Sequence, residues 1–123
     1  MILVDTSVWI DHIKSTDPVL SQLLARDRVF AHRFVMGELA MGSIRQREAV
    51  LSAYRKLPRA IVADDEDVLR TIEQHGLFGR GIGFIDVHLL ASACLTPDTQ
   101  LWSRDKRFAA VAEALGVAAR LGY

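Results

Sequence analysis

The chain has 123 residues, enough for one compact domain with a sheet covered by helices on both faces. Half of it is apolar and 24% is charged, which excludes a disordered tail or a coiled-coil rod and predicts a single globular domain over residues 1–123. Fifteen basic residues balance fifteen acidic ones, so no net charge draws the chain to nucleic acid, but the distribution is uneven: residues 26–59 carry eight bases (Arg26, Arg28, Arg33, Arg45, Arg47, Arg55, Lys56, Arg59) against three acids (Asp27, Glu38, Glu48). A second basic cluster follows at Arg104, Lys106 and Arg107, with Arg80 in a glycine-rich stretch. Each is at least as well read as part of a solvated helix face; only convergence on one rim makes such residues an RNA footprint.

The lone Cys94 cannot form an internal disulfide, and its apolar setting predicts a reduced core residue in a cytoplasmic protein. No basic signal-peptide region precedes the first apolar run, and no stretch approaches the length needed to span a membrane, so no membrane association is expected.

In chain order, Ile2, Leu3 and Val4 are consecutive apolar residues, the pattern of a central parallel strand covered on both faces. Asp5 ends that run. Thr6 and Ser7 are good helix caps, and Val8, Trp9 and Ile13 suit a helix beginning at once. Asp5 therefore stands at a strand's carboxyl end, where ligands bind in open α/β sheets, or it serves simply as a helix cap. Asp17-Pro18 starts a second helix over about 18–26, and Val29, Phe30 and Ala31 suit a second strand. A helix over 34–43 carries Glu38 at or near its apolar stripe, where a carboxylate needs a partner. Another helix spans 45–57, with Val50, Leu51 and Tyr54 inward and Pro58 as its stop.

Ile61 and Val62 suit a short strand, and residues 64–67 are an acidic run that complements the N-terminus of a helix ending near His75. Four glycines in residues 76–83 predict a loop; without a following Gly-Lys-Ser or Gly-Lys-Thr it is not a phosphate loop. Residues 84–95 form a helix with Asp86 near its start, and 100–103 a strand shortly before Asp105. A last helix closes at Gly116, and 117–119 suit an edge strand. This alternation predicts an α/β fold, a three-layer α/β/α sandwich with a mostly parallel central sheet.

Asp5, Asp86 and Asp105 share one address in such a fold, because strand carboxyl ends and helix N-termini face the same sheet edge; Glu38 is a fourth acid able to join them. Clustered carboxylates repel, and a divalent cation removes the conflict. An all-oxygen ligand set suits Mg²⁺ or Mn²⁺, whereas zinc requires His or Cys. His12, His32, His75 and His88 are scattered and form no ligand pair; His88 reads as a core or rim residue. Ser7 and Ser103 lack a nucleophile-elbow context and suit hydroxyls that orient carboxylates. A carboxylate-held cation binds phosphates and promotes in-line phosphodiester hydrolysis.

The opening Val4-Asp5-Thr6-Ser7-Val8-Trp9-Ile10-Asp11, the helical Glu38-Leu39 with Gly42, the Ile85-Asp86 helix and the stretch from Trp102 through Ser103, Asp105 and Phe108 together resemble the successive motifs of PIN-domain ribonucleases, and among them the VapC toxins. The resemblance spans nearly the whole chain. It implies an Mg²⁺- or Mn²⁺-dependent endoribonuclease acting on RNA, often transfer RNA or a ribosomal loop, to arrest translation. It also implies a homodimer restrained by a VapB-like antitoxin. By this resemblance Asp5, Glu38, Asp86 and Asp105 are the catalytic, metal-holding acids, supported by Ser7 and Ser103; Ser103 stands where Thr is more usual, and Asp105 matches the most variable position.

Two other classes open similarly. A haloacid-dehalogenase-like phosphatase needs a second Asp where Ser7 stands. A receiver-like regulatory domain, a non-catalytic acid pocket, needs an acid pair before its phosphoacceptor, and here one acid stands alone. A degenerate, non-catalytic PIN domain is a further alternative. Finally, Trp9, Ile13, Leu20, Leu23 and Leu24 exceed what one core face needs and suggest a groove for a partner protein.

Overall fold

The structure, a computed structural model, describes residues 1–121. Its sheet is parallel, with β1 (Ile2–Val4) between β2 (Val29–Phe30) and β3 (Gln100–Trp102). Ile2 pairs with both Val29 and Gln100, and Val4 with Trp102. Leu3 and Val4 point to opposite faces and are both fully buried, so helices cover both sides of β1. That burial is what an unbroken apolar triplet predicts, and the α/β class expected from the sequence holds.

Seven helices flank the sheet among the described residues: α1 (Thr6–Lys14), α2 (Pro18–Ala25), α3 (Arg33–Met41), α4 (Arg47–Arg55), α5 (Asp65–His75), α6 (Phe84–Leu95) and α7 (Lys106–Ala114). Their ends follow local chemistry. Asp17 accepts from the backbone N–H groups of Val19 and Leu20 at 2.8 and 3.0 Å, with Pro18 in the first turn of α2. Asp64 accepts from Asp67 N–H at 2.7 Å, and Asp65, Glu66 and Asp67 fill the first turn of α5, so the acidic run serves that helix end as expected. Gly76 ends α5 in the left-handed region at φ 61°, where a side chain would be strained.

Several expectations are corrected. Ile61 and Val62 form no strand: their stretch meets the sheet only through a bridge from Arg59 to Ala31, and both side chains are about half exposed, giving no apolar face to bury. Residues 117–119 likewise contribute one bridge, Ala118 to Leu101. The fourth helix starts at Arg47 because Gln46 turns left-handed at φ 49°. Cys94 is a free but exposed thiol, on the outward side of an otherwise buried helix. Trp9 and Leu20 belong to the core, which leaves Ile13, Leu23 and Leu24 as the half-buried members of the suggested groove.

Candidate active site

The strand order decides where a site can form. From β1 the chain crosses to β2 on one side; from β3 it continues to Ala118 on the other. The connections after β1 and β3 thus run to opposite sides of the sheet, a switch point at whose carboxyl ends open α/β sheets bind ligands. Asp5 follows β1 directly, and Ser103 and Asp105 follow β3.

Asp5 occupies the N-cap position of α1, yet its carboxylate makes no cap hydrogen bond. Instead, the hydroxyls of Ser7 and Ser103 both donate to its Oδ2, at 2.7 and 2.8 Å. Each hydroxyl in turn accepts a backbone N–H from the loop after β3: Arg104 N donates to Ser7 Oγ at 3.1 Å, and Asp105 N to Ser103 Oγ at 3.0 Å. One buried carboxylate oxygen is thereby fixed from two sides, which is a positioning arrangement rather than a helix cap. Asp5 is therefore not a side-chain cap of its own helix, and Ser7 and Ser103 both donate to its Oδ2.

Glu38 corrects an expectation. It is exposed, not set in the apolar stripe of α3, and its partner is Thr6, whose hydroxyl donates to Oε1 at 2.7 Å. Asp86, in the first turn of α6, accepts from Gly83 N–H through Oδ2 at 2.9 Å. Asp105 caps α7, with Oδ1 taking the N–H groups of Arg107 and Phe108 at 2.9 and 3.1 Å. All four acids thus follow one rule: one oxygen is held by a protein donor, and the other accepts no hydrogen bond among the described residues.

They also feel one another. Burial is the largest cause raising the Asp86 carboxyl above the ordinary carboxylate range; the Gly83 hydrogen bond opposes it, and the charges of Asp5, Asp105 and Glu38 add to the rise. The fold therefore brings the four acids within electrostatic reach. As they stand, no three His, Cys, Asp or Glu side chains among the described residues are arranged to grip a metal ion. The donor chemistry, four carboxylates without His or Cys, fits a hard divalent cation.

The histidines stand apart. His12 Nδ1 accepts from Asp17 N–H at 2.9 Å, His32 caps α3, and His88 is buried between the rings of Phe34 and Phe84, at 4.6 and 4.9 Å.

Thr6 and Arg104 were not legible as site residues. Thr6 looks like a helix cap and Arg104 like one of a basic cluster; only the fold shows Thr6 on Glu38 and the Arg104 guanidinium on Asp17, with Asp11 at 3.4 Å. Arg104 thereby ties the loop after β3 to the first two helices, and its charge is already matched.

A PIN domain profile matches residues 2–114, which include all four acids and both serines. The chain belongs to the PIN-domain family. It is 45% identical over 118 residues to Ribonuclease VapC32 of Mycobacterium tuberculosis, in two strains, covering 96% of this chain and 95% of the relative. Similarity of that extent makes this a VapC-type PIN protein, in agreement with the motif resemblance. No helix among the described residues is long and apolar enough to cross a membrane.

Proposed function

We propose that this chain is the toxin of a toxin–antitoxin pair, a single-domain, cytoplasmic, Mg²⁺- or Mn²⁺-dependent endoribonuclease that arrests translation by cutting transfer or ribosomal RNA. The observation that carries the reading is the shared pattern of Asp5, Glu38, Asp86 and Asp105: one oxygen of each is anchored and one is free, around a carboxyl whose proton affinity the others raise. The free oxygens would hold the cation. Bound there, it supplies charge neutralisation and Lewis-acid polarisation of the scissile phosphate. Asp5 gives a fixed direction to the site because Ser7 and Ser103 immobilise it. Thr6 restrains Glu38 at Oε1. Kinship with VapC32, named a ribonuclease, supports RNA as substrate. The family resemblance supports a homodimer and a VapB-like antitoxin, for which Ile13, Leu23 and Leu24 supply half-buried apolar surface.

Thermal unfolding of the purified chain tests the metal directly. Mg²⁺ or Mn²⁺ is expected to raise the Tm of the wild type and not that of Asp5→Asn, with about 2.7 kcal/mol gained at 100 times Kd. Equal shifts for both chains, or none, would count against a cation at this site. For the orienting hydroxyls, Ser103→Ala removes both a donor to Asp5 and the acceptor of Asp105 N–H. Its RNA cleavage is expected to fall about 10- to 100-fold, while Ser103→Thr, which keeps the hydroxyl, stays near wild type. Similar rates for the Ala and Thr variants would remove Ser103 from the mechanism.

A further inference from the structure

A pocket of about 260 Å³ lies between α3, α4 and the segment after Pro58, away from the acids. Its floor includes His32, Met36 and Tyr54, and its wall carries three arginines, Arg33, Arg55 and Arg59. These come from three separate segments of the basic stretch 26–59, and the fold brings them to one rim. No carboxylate lines the pocket. Arg33 lies over the Phe34 ring at 4.8 Å; beyond that, none of the three has an ion pair or side-chain hydrogen bond among the described residues. Arg47 and Arg104, by contrast, are occupied by Ala40 O and by Asp17 and Asp11. Tyr54 and His32 cannot compete as charges: Tyr54 O–H is tied to the His32 backbone, and both side chains are buried.

Three unmatched guanidinium groups above a partly apolar floor suit an anion that carries a flat or apolar body, because guanidinium forks match phosphate oxygens in pairs. The volume is near the lower end for small-ligand sites, ~300 Å³, which suits a single nucleotide unit. Its position agrees: Glu38 meets Thr6 on one flank of α3, while Arg33 and Met36 line the pocket on another, so Glu38 and the pocket lie on two sides of one helix, roughly 10 Å across. We propose that this arginine pocket is a subsite for a nucleotide of the RNA flanking the bond to be cut, holding its phosphate with Arg33, Arg55 and Arg59. This rests on the ribonuclease reading for its substrate, but binding is measurable without cleavage.

The test is equilibrium binding of single-stranded oligoadenylate to the Asp5→Asn chain in chelator, across a salt series, with a polyglutamate peptide as a second probe. Adding Arg55→Ala and Arg59→Ala is expected to weaken oligoadenylate binding about tenfold or more and to lower the salt slope by up to about 0.7, the share of the one phosphate the pocket holds. Arg55→Lys with Arg59→Lys keeps both charges and is expected to keep the slope, which separates loss of contact from loss of fold. Unchanged oligoadenylate affinity and slope in the alanine variant would overturn the proposal. So would loss of polyglutamate binding alone, which would assign the pocket to an acidic protein segment. Failure of the nuclease reading shows separately, as undiminished RNA cleavage by Asp5→Asn with intact arginines.

Discussion

Asp5→Asn is expected to lower RNA cleavage about 10³-fold while leaving the protein folded. The amide keeps the shape of the carboxylate and can still accept from one of the two serine hydroxyls that meet at Oδ2, but it removes the fixed negative charge of the site. Loss of one preorganised electrostatic group costs about 4 kcal/mol of transition-state stabilisation, which is the thousandfold quoted. Stability should hold or rise in the absence of cation, because Asp5 is one of three charges that push up the Asp86 carboxyl. Asp86→Asn should behave alike, removing the group that is burdened by burial and by its neighbours. Initial rates on an RNA substrate with Mg²⁺, beside unfolding curves for each variant, give the comparison. Cleavage by Asp5→Asn within about tenfold of wild type, or wild-type cleavage that survives chelation, would defeat the metal mechanism.

The second large effect concerns acid. His32 is buried, its Nδ1 accepts from Phe34 N–H at 3.1 Å, and its Nε2 stands 2.9 Å from Ser92 Oγ. A ring that accepts at Nδ1 is neutral, with its proton on Nε2 directed to Ser92. Burial first, then the charges of His88 and Arg33, lower its pKa from 6.5 to about 4. The unfolded chain takes up this proton near pH 6.5, and the folded one resists until about 4. Between those values the unfolded state binds more protons, so this contribution to stability is full above pH 6.5 and is lost as pH falls towards 4. A gap of that size corresponds to about 3 kcal/mol at most. Asp86 works the other way, since its raised carboxyl is relieved by protonation. The diagnostic is therefore the difference between wild type and His32→Asn, a residue that can still cap α3 and does not titrate. Denaturant unfolding across this range should show a shallower pH dependence in the variant; identical slopes would mean that His32 is not the responsive group.

Local chemistry made much of the fold legible. The triplet Ile2-Leu3-Val4 specifies a strand buried on both faces, Asp17-Pro18 and Asp64 specify helix starts, and the apolar run 84–95 specifies a buried helix, because each signal is complete within one turn or one strand. Short apolar pairs such as Ile61-Val62 misled, since two residues carry no periodicity and strand formation needs a neighbouring edge. Cys94 misled for a related reason: in a helix apolar almost all round, composition does not tell which face the single outward position will take.

Asp5, Asp86 and Asp105 could be picked from the sequence because carboxylates at strand ends and helix starts have an address before they have coordinates; Glu38, inside α3, and the two serines joined them as candidates through their chemistry and the motif resemblance. What they touch could not. Whether Asp5 caps its own helix or receives Ser7 and Ser103 depends on a loop 98 residues away. Whether Glu38 is buried or rests on Thr6 depends on how α3 meets α1. Which arginines stay unmatched depends on where Asp11 and Asp17 fall. The sequence alone determined most helices, the three paired strands, the family motifs and the donor chemistry, because these are set by neighbours along the chain. Only the tertiary structure decided the direction of each carboxylate, the convergence of Arg33, Arg55 and Arg59, and the neutrality of His32, because hydrogen-bond geometry and burial arise between segments distant in sequence.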